Sequence, residues 1–157
     1  MTAKFWQNVK ENGLHLTVAE TGWGKASWGK IYGQWLCGCG VMVYDFDIFS
    51  PEKLLKVIED FKVTSFCAPP TVYRYFIKKD MKKFDLSHLE HITTAGEALN
   101  PEVFEQVHKQ TGLQIMEGFG QTESVLMLGN LVGSTAKIGS LGKPTPLYNI
   151  MLSLIHI

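Results

Sequence analysis

Two helix starts of the same build, Ser50-Pro51-Glu52 and Asn100-Pro101-Glu102, each stand between short runs rich in β-branched and apolar residues. A Ser or Asn side chain can cap the first free N–H groups, proline suits the first helical turn, and an early acid complements the helix dipole. The first start predicts a helix carrying Leu54, Val57, Ile58 and Phe61 at helical spacing. Val41 to Tyr44 before it and Val63 to Ala68 after it read as strands, the second stopped by Pro69-Pro70. The second start predicts an amphipathic helix with Val103, Phe104 and Val107 on its apolar face, ended by Gly112. Strands are expected at His91 to Ala95 and Leu113 to Met116, and further helices at Lys4 to Val9 and Thr71 to Lys79. Strands alternating with helices define an α/β fold, a mostly parallel sheet flanked by helices. Ligands of such sheets sit beyond the carboxyl ends of the strands, which here are the segments after Ala95 and after Met116.

Composition narrows the partners. With 157 residues, 45% apolar and 19% charged, the chain can bury a core and forms one domain or part of one. Fifteen Lys and Arg balance fifteen Asp and Glu, so no net field favours nucleic acid or an anionic membrane. Cys37, Cys39 and Cys67 lack the C-x-x-C spacing of a structural zinc site, and an odd count of thiols fits a reducing cytoplasm. The opening MTAKFWQNVKENG offers no apolar stretch for an export signal, and no segment has membrane-spanning length.

Glu117 to Glu123, EGFGQTE, carries the most chemistry. Gly118 and Gly120 allow a sharp turn and a close approach to a ligand, and Phe119 offers a flat face for a purine. The Thr122 hydroxyl can donate to a phosphate oxygen, and Glu123 is a hard oxygen ligand suited to Mg²⁺. On residue chemistry alone the stretch also reads as a glycine-containing turn with Thr122 and Glu123 in solvent. Other patterns fail. Gly24 to Lys30 follows a Walker loop only until Ile31, which stands where a Mg²⁺-binding Ser or Thr belongs. No G-x-G-x-x-G follows a strand, no G-x-S-x-G occurs, and His88 and His91 fall where a polar connection leaves them to solvent.

EGFGQTE at 117 to 123 is similar to the nucleotide motif of the adenylate-forming superfamily, and TAGEALNPEV at 94 to 103 to its adenine-side segment. TGWGKASWGKIYGQWLCG at 21 to 38 and FCAPPTVYR at 66 to 74 narrow the resemblance to the medium-chain acyl-CoA synthetase branch, over Thr2 to Met151. The resemblance implies a fragment of the large N-terminal domain of an enzyme that joins a carboxylic acid to CoA using ATP and Mg²⁺. Gly96, Glu97 and Ala98 would then pass one face of adenine and Phe119 cover the other, within a nucleotide segment running from Glu117 through Gly118, Gly120 and Gln121. Thr122 would contact the α-phosphate and the acyl carboxylate, and Glu123 would hold Mg²⁺. Phe119 replaces the commoner tyrosine and Ala98 a frequent proline; stacking survives both changes.

Trp6, Trp23 and Trp28 could shape a dry acyl tunnel, with Lys25, Cys67 and Gly120 beside them. Equally, the tryptophans could fill the core, and Lys25 could be a solvated surface charge. An adenylation domain loading a carrier protein, or a non-catalytic α/β nucleotide-binding module, are the competing functions. Residues 1–151 are expected to be an internal part of the AMP-binding domain. Leu152 to Ile157 resembles a translated sequencing adapter and is expected to be a non-native tail. The family's phosphate loop, ribose aspartate, hinge and catalytic lysine are expected outside this stretch, leaving it inactive alone.

Overall fold

The computed structural model describes residues 1–151; the expected tail, 152–157, lies outside the described residues. Five parallel strands form the body of the sheet: β1 (Leu14–Thr17), β2 (Gly40–Met42), β3 (Ser65–Cys67), β4 (His91–Thr94) and β5 (Ile115–Gln121). Strand β6 (Val125–Gly129) pairs antiparallel with β5, and β7 (Lys143–Pro144) antiparallel with β6, giving the order β2-β1-β3-β4-β5-β6-β7. From β1 the chain steps one way to β2, then reverses and crosses through β3 and β4 to β5. Right-handed crossovers put the connecting helices on opposite faces when the direction reverses. Accordingly α1 (Thr2–Phe5), α2 (Gly24–Trp28) and α3 (Tyr32–Leu36) lie on one face, and α4 (Pro51–Asp60), α5 (Pro70–Phe76) and α6 (Pro101–Thr111) pack on the other.

The register makes the two faces chemically different. Leu16, Phe66, Ile92 and Ile115 form one row across four strands and are buried against α4, α5 and α6. One residue further along, the row of Thr17, Cys67, Thr93 and Met116 faces the N-terminal helices. A shift of one residue exchanges faces, so this register decides which side is oily and which is polar.

Both proline-led starts behave as expected. Ser50 Oγ accepts the Lys53 N–H at 3.3 Å, Asn100 Oδ1 accepts the Glu102 N–H at 2.8 Å, and Gly112 closes α6 at φ 76°. Helix α1 is shorter than Lys4 to Val9 because the chain unwinds at Trp6: the Gln7 N–H reaches back to Thr2 O, and Asn8 adopts φ 51°. That unwinding frees Trp6 and Gln7 to face the sheet. Helix α5 also stops early, at Phe76, and β2 ends at Met42, leaving Val43 exposed.

Candidate active site

The stretch expected to turn is a strand. β5 continues past Met116 through Gln121, and the reversal falls at 122–124 before β6. Its glycines serve close approach: a Cβ on Gly120 would stand 1.5 Å from the Val125 carbonyl oxygen, and one on Gly118 2.8 Å from the Trp6 ring. A bulge between Phe119 and Gly120 breaks the pairing there, as bulges do where a side chain must be re-aimed. Val125, where the turn rejoins the sheet, has φ 52°, a conformation that costs a β-branched residue roughly 1–3 kcal/mol.

Two cavities meet beside this hairpin. A cleft of about 450 Å³ lies between the loop after β4 and the end of β5, with Gly96, Glu97 and Ala98 on one side and Gly118 and Phe119 on the other. Phe119 is 38% exposed, enough for its ring to receive a partner. The Glu97 carboxylate is engaged elsewhere, accepting from Arg74 Nη2 at 2.9 Å and from Thr71 Oγ1 at 3.1 Å, so the cleft wall at 96–98 is left to the main chain. Glu117 is buried and its Oε1 accepts the Leu99 N–H at 3.0 Å, pinning the loop to the strand; burial raises its carboxyl above the usual range.

The second cavity, about 230 Å³, is walled by Trp6, Trp23, Trp28, Val125 and Leu126. Trp6 is buried, so it is both core and wall, whereas Trp23 and Trp28 are about half exposed. Lys25 lines the same chamber and its Nζ donates to Ala95 O at 3.0 Å, which differs from the solvated charge expected of it. Gly96 and Gly120 border both cavities, and Gln121 and Thr122 line the second at this junction. Cys67 borders neither: it ends β3, is fully buried, and packs with Trp6 and Leu126 behind the wall. Glu123 is exposed in the turn and also lies outside both linings, and among the described residues no three His, Cys, Asp or Glu side chains gather as a metal site.

A buried polar network holds the chamber's floor. The Gly29 carbonyl, just past α2, accepts from Gln7 Nε2 at 2.7 Å, Thr17 Oγ1 at 2.8 Å and Gln34 Nε2 at 3.1 Å. Because the Thr17 hydroxyl donates to Gly29, it accepts from His15 Nε2–H at 2.6 Å, and His15 Nδ1 then accepts from Ser65 Oγ at 2.7 Å. Burial holds His15 neutral, with its pKa pushed down to about 4. His91, expected in solvent, is half-buried and bonds the Trp6 carbonyl at 2.7 Å, fixing the backbone beneath the indole.

Sequence reasoning missed β1, β6, β7, the short helices α2 and α3, and the wall residues Val125 and Leu126. The run Val125 to Leu128 is apolar enough to read as a strand, but four apolar residues alone do not separate a buried strand from a buried helix segment. His15 and Thr17 disguised β1, because polar side chains are unusual in a fully buried strand.

The chain belongs to the AMP-binding enzyme family, which matches residues 6–153. It is 37% identical over 152 residues to the mitochondrial acyl-coenzyme A synthetase ACSM3 of Mus musculus, and 38% identical over 152 residues to ACSM4 of Homo sapiens. Each alignment covers 97% of this chain and 26% of the relative, so the chain spans about a quarter of their length. Among solved structures it superposes on a Brucella canis acyl-CoA synthetase with TM-score 0.85 at 26% identity, over 94% of this chain and 28% of that one. The anthranilate CoA ligase AuaEII in complex with anthranoyl-AMP gives TM-score 0.82 at 27% identity, over 88% and 27%. The cytoplasmic placement expected above is corrected by these comparisons, because the synthetases that match, ACSM3, ACSM4 and ACSM5, are mitochondrial. Free thiols separate reducing from oxidising surroundings and do not tell one reducing compartment from another.

Proposed function

We propose that the full-length protein carrying these residues is an ATP-dependent acid:CoA ligase. It forms an acyl-adenylate from a short- to medium-chain or aromatic carboxylic acid and then an acyl-CoA thioester. The observation that carries this reading is the meeting of two unlike cavities, an open cleft beside an aromatic ring and a tryptophan-walled chamber, at Gly96 and Gly120, with Thr122 lining the chamber beside them. A reaction joining a nucleotide phosphate to an apolar acid needs such a junction. The names of the matching synthetases and of the anthranilate ligase support the same chemistry.

In this reading adenine lies in the cleft between the main chain of Gly96, Glu97 and Ala98 and the ring of Phe119. The acid's tail fills the chamber of Trp6, Trp23 and Trp28. A carboxylate oxygen attacks the α-phosphorus, the bond to the bridging oxygen breaks, and pyrophosphate leaves with that electron pair. The CoA thiol, losing its proton, then attacks the acyl carbon and releases AMP. The first step brings two anions together, so charge neutralisation is the main catalytic demand. The Thr122 hydroxyl donates at the junction. Glu123, exposed and free of ion pairs among the described residues, would hold Mg²⁺ as a hard carboxylate donor. Bound Mg²⁺ would neutralise phosphate charge as the carboxylate approaches. Glu117 acts indirectly, by holding the adenine-side loop through Leu99.

The test is ATP–pyrophosphate exchange by the full-length protein across a panel of carboxylic acids. Acid-dependent exchange followed by CoA-dependent release of AMP is expected; exchange with no acid in the panel overturns the reading.

A further inference from the structure

Helix α2 and the residues at its two ends bring Trp23, Trp28 and Gly29 to the chamber wall. Little within the helix fixes its place, because it is five residues long and its N-terminus has no side-chain cap. Its position is set from outside, at the carbonyl of Gly29. A carbonyl oxygen has two lone pairs, and three buried side chains aim donors at this one: Gln7 from the N-terminal segment at 2.7 Å, Thr17 from β1 at 2.8 Å and Gln34 from α3 at 3.1 Å. The Thr17 proton is directed there because His15 Nε2–H donates to the same hydroxyl at 2.6 Å. Two chamber tryptophans adjoin this node in sequence, since Gln7 follows Trp6 and Gly29 follows Trp28. Gln7, Thr17 and Gln34 do not themselves line the chamber.

The hydroxyl of Thr17 therefore acts on the chamber only through the position of α2. We propose that Thr17 is a positioning residue for acid selection: by tying the Gly29 carbonyl to β1 it sets the gap between the Trp6 and Trp28 walls, and with it the longest apolar tail the chamber takes. This rests on the chamber being the acyl site of the proposed ligase. One methylene too many or too few in an apolar pocket changes kcat/KM by roughly 10- to 200-fold, so a small outward shift of α2 is readable in the range of acids used.

The experiment is ATP–pyrophosphate exchange by the full-length protein with butanoate, hexanoate, octanoate and decanoate, comparing the wild type with Thr17→Val, which keeps the β-branched shape and removes the donor. Expected is a rise of at least about tenfold in the octanoate-to-butanoate ratio of kcat/KM, carried by KM for the acid, with KM for ATP unchanged. Thr17→Ser keeps the donor and should keep the wild-type ratio. A bond that only stabilises the fold would lower the thermal midpoint without sorting the acids. A Thr17→Val enzyme that loses all four acids alike, or keeps the wild-type ratio, therefore overturns the inference and leaves the ligase reading intact. So does a Thr17→Ser enzyme that shifts as far as Thr17→Val. Should Thr17→Val not fold, Gln34→Met removes another donor from the same carbonyl and is read by the same ratio, where no change overturns the inference. Absence of exchange with any acid by the wild type removes the ligase reading itself, and the inference with it.

Discussion

Phe119 and Gly120 carry the sharpest consequences at the scale of single residues. Stacking of a base on an aromatic ring contributes about 1–3 kcal/mol, so Phe119→Ala should weaken ATP binding by roughly 5- to 150-fold, and Phe119→Tyr should not. Equilibrium titration of the full-length protein with MgATP measures both. Gly120→Ala cannot keep the present backbone, because its methyl would stand 1.5 Å from the Val125 carbonyl oxygen. It should abolish exchange activity and lower the thermal midpoint; activity near wild type in Gly120→Ala would show that the hairpin is built differently. The residues of EGFGQTE were legible as a group, because glycine, aromatic, hydroxyl and carboxylate in seven positions suit a nucleotide. Their separate tasks were not. Nothing in the string distinguishes Gly118, which makes room for Trp6, from a turn residue, and Cys67 could not be known to lie behind the wall, because burial depends on which helix covers β3.

Among the elements, the two proline-led helices were the best read, while the short helices α2 and α3 were not foreseen. Ser50 and Asn100 cap α4 and α6 as their local sequence requires, since capping is a contact within three residues. Ser50→Ala and Asn100→Ala should each lower stability by about 1 kcal/mol in denaturant unfolding of the full-length protein. A null effect at both would mean the helix ends are held by packing alone. The β5–β6 hairpin was illegible for the opposite reason: its pairing unites residues on either side of a turn whose tightness only the Gly120 contact explains. The loop it faces is held by Glu117. Glu117→Gln keeps an acceptor for the Leu99 N–H, whereas Glu117→Ala orphans a buried donor at a cost of about 1–3 kcal/mol. Glu117→Ala should therefore raise the KM for ATP while Glu117→Gln leaves it near wild type, and equal effects would deny Glu117 its positioning role.

For the molecule as a whole, the sheet's two faces were only half foreseen. The parallel α/β plan followed from alternation, but the polar face built from His15, Thr17 and Ser65 under the N-terminal segment had no periodic signal. That face makes stability depend on pH. The His15 pKa falls from an ordinary 6.5 to about 4, so its contribution is complete above pH 6.5 and is lost as pH falls through the interval down to about 4. The difference corresponds to roughly 3 kcal/mol. Unfolding measured across that interval should show the loss, with His91, also pushed down by burial, adding in the same direction. His15→Ala should flatten the curve. If the cavities meeting at Gly96 and Gly120, beside Thr122, are a site for ATP and its metal, calorimetric titration of MgATP into the full-length protein shows it most directly. Wild type should bind, and Thr122→Ala/Glu123→Ala should lose at least about tenfold in affinity, the scale of a lost charge-assisted contact. No binding by the wild type, or equal binding by the double variant, would contradict it.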